Sequence, residues 1–160
     1  METDVLEKVS VEYGAPDALT RPLLKEAFAW VCENMSDDGT LDKSCVSAPL
    51  LAPFIRHISL FEFVIIGGKV TDFRAKVLAS IVADNIFEIS GRYGKENLPR
   101  PIFERWLLAC QTLVDKECAF STSSAVFGKA HRRVESLSVP VRDSRGILNH
   151  GLVFTDYWTA

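Results

Sequence analysis

Few side chains in the sequence could do covalent chemistry, and their spacing offers one pair for it. There are four cysteines (Cys32, Cys45, Cys110 and Cys118) and three histidines among 160 residues. A cysteine becomes a nucleophile when an adjacent base takes its proton, and Cys118 and His131 belong to neighbouring predicted strands that could bring them together. The pattern favours the alternative, a core thiol and an unrelated edge histidine. We therefore predict no catalytic residues and no enzyme activity.

Metal and phosphate sites are not indicated either. The cysteines show no CxxC spacing and no nearby HxxxH pattern, so no zinc site is expected. The GxGxxG, GxxxxGK[ST], HExxH and GxSxG fingerprints do not occur. Asp37 and Asp38 adjoin Gly39 in a predicted helix-terminating loop, which favours a solvated turn over a paired-carboxylate site. We predict neither a metal nor a cofactor.

One short basic run, residues 129–133, raises the question of nucleic-acid binding. Phosphate contacts usually need a broader basic face, and the net charge of −3 argues against a dedicated nucleic-acid binder. An exposed loop is the favoured interpretation of this run. Docking of an acidic partner, or of the acidic N-terminal segment of another copy, is the alternative.

The acidity of the chain is concentrated at its N-terminus. Residues 1–40 hold nine acids and three bases, whereas residues 41–160 hold twelve acids and fifteen bases. We predict an N-terminal arm and amphipathic helix over 1–40 and the main domain over 41–160. No apolar run approaches the roughly 18 residues of a membrane helix, and the acidic start is unlike a secretory signal. A cytoplasmic protein with free thiols is therefore expected.

A helix is predicted to start at Thr20 and Pro22, with Thr20 as its cap. Leu24, Phe28 and Val31 follow at helical spacing. This amphipathic helix could pack onto its own sheet or onto a second copy. On the second possibility, these three residues are the candidates for a dimer interface.

Strand patterns flank a second long helix. Residues 58–66 and 70–78 have strand character and are joined by Gly67-Gly68, which is typical of a tight hairpin turn. A helix is predicted after Pro99 from an apolar stripe that contains Trp106 and Cys110. Three further strands are predicted at 118–127, 132–141 and 148–157. This order predicts an α+β fold, a five-stranded antiparallel sheet with helices on one face.

The sequence resembles a family of small standalone bacterial PAS-like proteins over roughly residues 41–158. The resemblance rests on the Pro-rich entry at 48–58, the hairpin strand that begins Asp72-Phe-Arg-Ala-Lys, and the Gly91-Arg-Tyr connector. It rests above all on the segment 131–143, which ends Val-Pro-Val-Arg-Asp and runs into Gly146. The resemblance implies a sensor with a pocket between sheet and helices, a dimer formed through the helix before the sheet, and a signal passed to a partner. No output segment follows residue 158, so we expect the output in another protein.

The resemblance does not extend to the cofactors of known PAS sensors. Flavin photosensors of the family carry a reactive cysteine in an Asn-Cys-Arg-Phe-Leu stretch, which this chain lacks. Haem-binding members use a helical histidine, and the predicted helices at 80–98 and 101–114 contain none.

The predicted pocket lies between the inner face of the sheet and the helices. Its candidate residues are Phe73, Ala75, Trp106, Cys110, Phe120, Thr122, Leu137 and Val139. Alternation puts Thr122 and Ser124 on the face of Phe120, so two hydroxyls enter the pocket if that face is the inner one. A cavity of roughly 300 Å³ or more would favour ligand binding. A closed, dry interior would favour a pure interaction module.

Overall fold

The computed structural model describes residues 11–126 and 128–160, with the backbone alone at Ala48 and Ala130. The first ten residues of the predicted arm, and the predicted strand end at Phe127, lie outside the described residues.

The elements of this part of the chain alternate between strands and helices. The strands are β1 (Glu12–Gly14), β2 (Leu41–Asp42), β3 (Ile58–Ile66), β4 (Lys69–Val77), β5 (Phe120–Val126), β6 (Lys129–Arg142) and β7 (Leu148–Thr159). The α-helices are α1 (Pro22–Asn34), α2 (Ala48–Leu51), α3 (Ser80–Asn85), α4 (Gly94–Asn97) and α5 (Arg100–Lys116). Short 3-10 turns occupy Pro16–Ala18, Lys43–Cys45 and Ala52–Phe54.

The strands form one sheet in the order β1-β5-β6-β7-β3-β4, with neighbours antiparallel. β2 pairs with the end of β6 in parallel, Leu41 opposite Val141. The mixed α+β class is therefore as predicted, and all five predicted strands are present. The strand number is not, because β1 and β2 come from segments expected to be a loose arm and an irregular approach. Each adds to the sheet through only two or three residues, too few to leave a pattern.

Helices cover both faces of the sheet, so the prediction of helices on one face is wrong. On one face α5 packs with α3 and α4 over a core that contains Phe61, Phe73 and Cys110. On the other face α1 packs over a second core. The sheet residues of that second core include Leu60, Leu137, Val139, Val141, Leu152 and Phe154.

The packing of α1 also corrects the predicted dimer interface. Leu24 and Val31 are fully buried against their own sheet, and Phe28 packs partly buried beside them. Leu24 and Val31 therefore cannot meet a second copy while α1 stays in place, whereas Phe28 keeps part of its surface exposed and a dimer contact there stays a prediction. The helix starts as predicted at Pro22, but its cap residue is Arg21 rather than Thr20.

The hairpin between β3 and β4 has the predicted Gly-Gly turn. Gly67 and Gly68 have φ values of 59° and 78°, a conformation that glycine adopts without a steric penalty. The turn sets the register in which Phe63 lies opposite Phe73, and both side chains face α5.

Candidate functional site

A cavity of about 140 Å³ lies between the sheet and α5. Strands β3 to β7 form its floor and one wall, α3 and α5 form its roof, and the segment containing β1 closes one side. The cavity is smaller than the roughly 300 Å³ at which small-molecule pockets usually begin, and it is not a closed packed core. Its size matches a cavity of roughly 150 Å³ that accommodates one benzene ring.

The floor of the cavity carries a row of hydroxyl groups across three strands. Thr122 of β5 lies opposite Ser136 of β6, and Ser136 lies opposite Thr155 of β7. All three side chains line the cavity. Because residues opposite one another on neighbouring strands share a face, the register places these hydroxyls side by side. We call Thr122, Ser136 and Thr155 the hydroxyl row.

The hydroxyls around the cavity are poorly satisfied by the protein. Ser136 Oγ and Thr155 Oγ1 lie 3.4 Å apart, a weak hydrogen bond. Within the described ranges, the hydroxyls of Thr122, Ser124 and Ser138 form no hydrogen bond to the protein. Ser124 and Ser138 are nevertheless buried residues.

These unpartnered hydroxyls open onto the cavity. Within the described residues, only Arg74 and His150 have a side-chain nitrogen or oxygen atom that is fully enclosed and lacks a hydrogen-bond partner, and neither residue lines the cavity. The unpartnered hydroxyls of the cavity are therefore not fully enclosed by protein atoms. A buried hydroxyl without a partner costs free energy. Water or a ligand in the cavity would remove that cost.

Aromatic rings from β3, β4 and α5 form another part of the cavity lining. The ring centroids of Phe61 and Trp106 lie 5.7 Å apart, those of Phe61 and Phe73 5.5 Å apart, and those of Phe73 and Trp106 6.2 Å apart. These separations lie in the range of favourable aromatic contacts. The cavity therefore has a polar floor and an aromatic wall.

The ionisable groups of the cavity are uncharged, with one exception. Burial raises the pKa of the Cys110 thiol and of the Tyr157 phenol far above their ordinary values, so both stay protonated. Burial followed by the nearby Cys110 raises the pKa of Tyr13. Arg105 lines the cavity from α5 and is the one charged residue among the described lining residues, although burial lowers its pKa. No Asp or Glu is among the described residues that line the cavity.

The N-terminal segment closes the cavity at the β5 edge of the sheet. β1 pairs with β5, with Tyr13 opposite Thr122. The Tyr13 ring stacks on Phe120, with centroids 5.4 Å apart, and Tyr13 contributes to the cavity wall. Three paired residues hold this strand, so the wall has few contacts to keep it closed.

The predicted pocket residues divide into three groups. Phe73, Trp106, Cys110 and Thr122 line the cavity. Ala75 and Phe120 belong to the same core without lining the cavity. Leu137 and Val139 face α1 on the opposite side of the sheet, so their assignment to the pocket was wrong.

The reason for that error lies in the pattern of β6. The strand alternates between hydroxyl side chains at 136 and 138 and aliphatic side chains at 137 and 139. We assigned the aliphatic side chains to the pocket because apolar side chains usually face the protein interior. Both faces of this sheet are covered, so that rule does not say which face lines the cavity. The hydroxyl set, together with Thr155, faces the cavity. Two serines alternating within a strand otherwise rich in Val and Leu were the available signal.

Cys118 and His131, the one pair that the sequence offered for covalent chemistry, lie far apart in the structure. Cys118 precedes Phe120, which lies opposite Ser138 in β6. His131 is seven residues away from Ser138 along the same strand, a distance of about 23 Å at the usual rise per residue. Both side chains are exposed, and no reactive geometry joins them.

The described ranges contain no group of three or more His, Cys, Asp or Glu side chains placed to hold a metal ion. No helix there has the length and apolar character needed to cross a membrane.

Fold and site together define an α+β domain with an internal cavity. No protein-family model matches the chain, and no curated protein matches it. Among solved structures, the chain is similar to an RNA-binding Light-Oxygen-Voltage receptor, with a TM-score of 0.46 and 12% sequence identity. The similarity covers 93% of this chain and 38% of the receptor chain, so this chain spans well under half of the receptor's length.

Proposed function

We propose that this chain is a PAS-type sensory or regulatory domain that holds a small molecule in the cavity and signals through a partner, without catalysis. The observation that carries the proposal is the hydroxyl row, which faces the cavity with its hydrogen-bonding capacity mostly unused. The chain order of β3 to β7, interrupted by helices after β4, is the order that the PAS resemblance predicts.

The chemistry of the cavity favours binding over catalysis. A reaction needs a nucleophile or base within reach of the substrate, and the cavity offers the Cys110 thiol, whose pKa burial raises. A thiol in that state is a poor nucleophile. Hydroxyl groups beside aromatic rings supply orientation and specificity, which is the requirement of a sensor pocket.

A pure interaction module is the second candidate. The small volume of the cavity favours it, since about 140 Å³ could also be filled by a few ordered water molecules bonded to the hydroxyls. The protein would then signal only through its surface.

The remaining parts of the proposal concern location and partners. We propose a cytoplasmic protein, consistent with four free cysteines of which Cys32 and Cys118 are exposed.

We propose a homodimer that uses a surface other than the buried face of α1, and an output protein as the second partner. We propose no nucleic-acid ligand, because Arg132 and Arg133 of the basic run bond to Asn85 and Ser123 of their own chain.

Native mass spectrometry of freshly purified full-length chain tests the proposal. We expect a dimer mass and an added small-molecule mass that disappears on denaturation. An extract of small metabolites should also raise the melting temperature of protein stripped of ligand by unfolding and refolding. A stripped protein that no extract fraction stabilises would support the interaction module instead.

A further inference from the structure

We propose that the cavity takes a neutral phenol-type compound, a single aromatic ring whose hydroxyl group bonds to Thr122, Ser136 and Thr155. This inference rests on the proposed function and names the class of its ligand.

The volume of the cavity limits the ligand to one ring. About 140 Å³ is available, and a cavity of roughly 150 Å³ takes benzene. Nucleotides, flavins and haems are several times larger and do not fit without rearrangement of the core. A ring with one or two small substituents fills the space.

The hydroxyl row selects for a ligand that both donates and accepts hydrogen bonds. Each Ser or Thr hydroxyl has one proton and two lone pairs, and Ser136 and Thr155 use only one weak contact between them. A phenolic hydroxyl placed over the row could donate to one side chain and accept from another. An apolar ring of the same shape would leave these groups unsatisfied, which is unfavourable.

The charges around the cavity exclude a cationic ligand. No acidic side chain is among the described lining residues, and Cys110 and Tyr157 remain protonated because burial raises the pKa of each. An ammonium group placed there would lose its hydration without a countercharge. Arg105 is the charged residue among the described lining residues, and it already interacts with another group of the protein. The hydroxyl row itself contains no cation, so a neutral oxygen group matches the row better than a carboxylate does.

The aromatic part of the cavity lining favours an aromatic ring in the ligand. Phe61, Phe73 and Trp106 contact one another in edge and tilted arrangements around the cavity. A further ring can continue this set of contacts, and each such pair is favourable beyond the area that it buries.

Five probes of different charge, size and hydrogen-bonding capacity test the ligand class. We would measure binding of p-cresol, p-xylene, 4-methylbenzylamine, 2-naphthol and benzoate to the stripped full chain by titration calorimetry. p-Cresol and p-xylene have nearly the same shape and differ by one hydroxyl. We expect p-xylene to bind about three- to tenfold more weakly than p-cresol, the range of one net neutral hydrogen bond. The amine and the two-ring compound should show no measurable binding.

Variants of single cavity residues test whether the compounds bind in the cavity and whether the hydroxyl row causes the preference for p-cresol. Ser136→Ala should reduce the p-cresol preference over p-xylene towards one, whereas Ser123→Ala, on the opposite face of β5, should leave it unchanged. Ala109→Leu adds three carbons to a side chain that lines the cavity from α5 and should abolish binding of both compounds. Ala29→Leu, at an exposed position of α1, is its matched control.

The outcomes separate the ligand class from the proposed function. If p-xylene or the amine binds as tightly as p-cresol, and Ala109→Leu abolishes that binding, the class is wrong while the cavity remains a ligand site. Binding of benzoate at least as tight as that of p-cresol would overturn the neutrality of the ligand in the same way. If none of these compounds binds and no extract fraction stabilises the protein, the proposed function fails together with the class.

Discussion

The carboxylate of Glu135 accepts hydrogen bonds from Thr20, at 2.9 and 3.1 Å from the backbone nitrogen and at 2.8 Å from Oγ1. The backbone nitrogen of Arg21 donates a further hydrogen bond of 2.9 Å to the same carboxylate. Glu135 lies on β6 and is only 4% exposed. A side chain more than a hundred residues away therefore satisfies the backbone just before α1, where a negative charge also favours the helix dipole.

Replacing Glu135 tests this attachment of α1. Glu135→Ala should lower the free energy of unfolding by about 1–3 kcal/mol, because the backbone N–H groups of Thr20 and Arg21 and the Thr20 hydroxyl, which are only partly buried, lose their common acceptor. Glu135→Gln should lower it less, since the amide oxygen still accepts. Urea denaturation followed by circular dichroism measures both. Glu26→Ala, exposed on α1, is the control, and a loss below about 1 kcal/mol for Glu135→Ala would contradict the interpretation.

The hydroxyl row should serve ligand binding rather than stability. The double change Ser136→Ala and Thr155→Val removes both partners of one weak 3.4 Å contact. Replacing both partners of a buried hydrogen bond by apolar groups can be neutral or stabilising. We expect the free energy of unfolding of the ligand-free protein to stay within about 1 kcal/mol or to rise. A loss of several kcal/mol in urea denaturation would show that the pair is structural.

His150 predicts a pH dependence of stability. Burial, then the positive charges of Lys43 and Lys76, lower its pKa to about 4, against the opposing effect of Glu62 and Asp143. Its Nδ1 lies 2.6 Å from Oδ1 of Asn149. Between about pH 6.5 and pH 4 the unfolded chain binds a proton at this residue that the folded chain does not. The free energy of unfolding should therefore fall as the pH falls through that range.

Denaturation curves at pH 7 and pH 5 measure the contribution of His150. His150→Gln should make the difference between the two pH values smaller, by on the order of 1 kcal/mol. His131→Gln, at an exposed position, should leave the difference as it is. An unchanged pH dependence in the His150 variant would show that this residue is not the source.

Tyr13 should control access to the cavity. The probe is the Cys110 thiol, which lines the cavity and which burial makes slow to react. In a chain with the other three cysteines changed to serine, Tyr13→Ala should increase the rate at which iodoacetamide labels Cys110. Tyr93→Ala, which removes another exposed tyrosine, should not change it. Equal rates in all three proteins would mean that the N-terminal segment does not close the cavity.

The local patterns of the sequence determined the elements and their order. The β3–β4 hairpin follows from two strand-forming runs and Gly67-Gly68, and α5 follows from an apolar stripe with a period near 3.6 residues. These features depend on residues close together in the chain, so the sequence contains them directly. The α+β class and all five predicted strands followed from the same patterns.

Only the tertiary structure decided what each face of the sheet contacts. α1 covers one face, so Leu24, Val31, Leu137 and Val139 became one core, and the dimer and pocket roles predicted for them were wrong. The hydroxyls of β5, β6 and β7 meet over the cavity through a register that joins Thr122 to Thr155, thirty-three positions apart in the sequence. The physical reason is the period of two along a strand, which divides residues into two sets but does not say which set is covered, or by what.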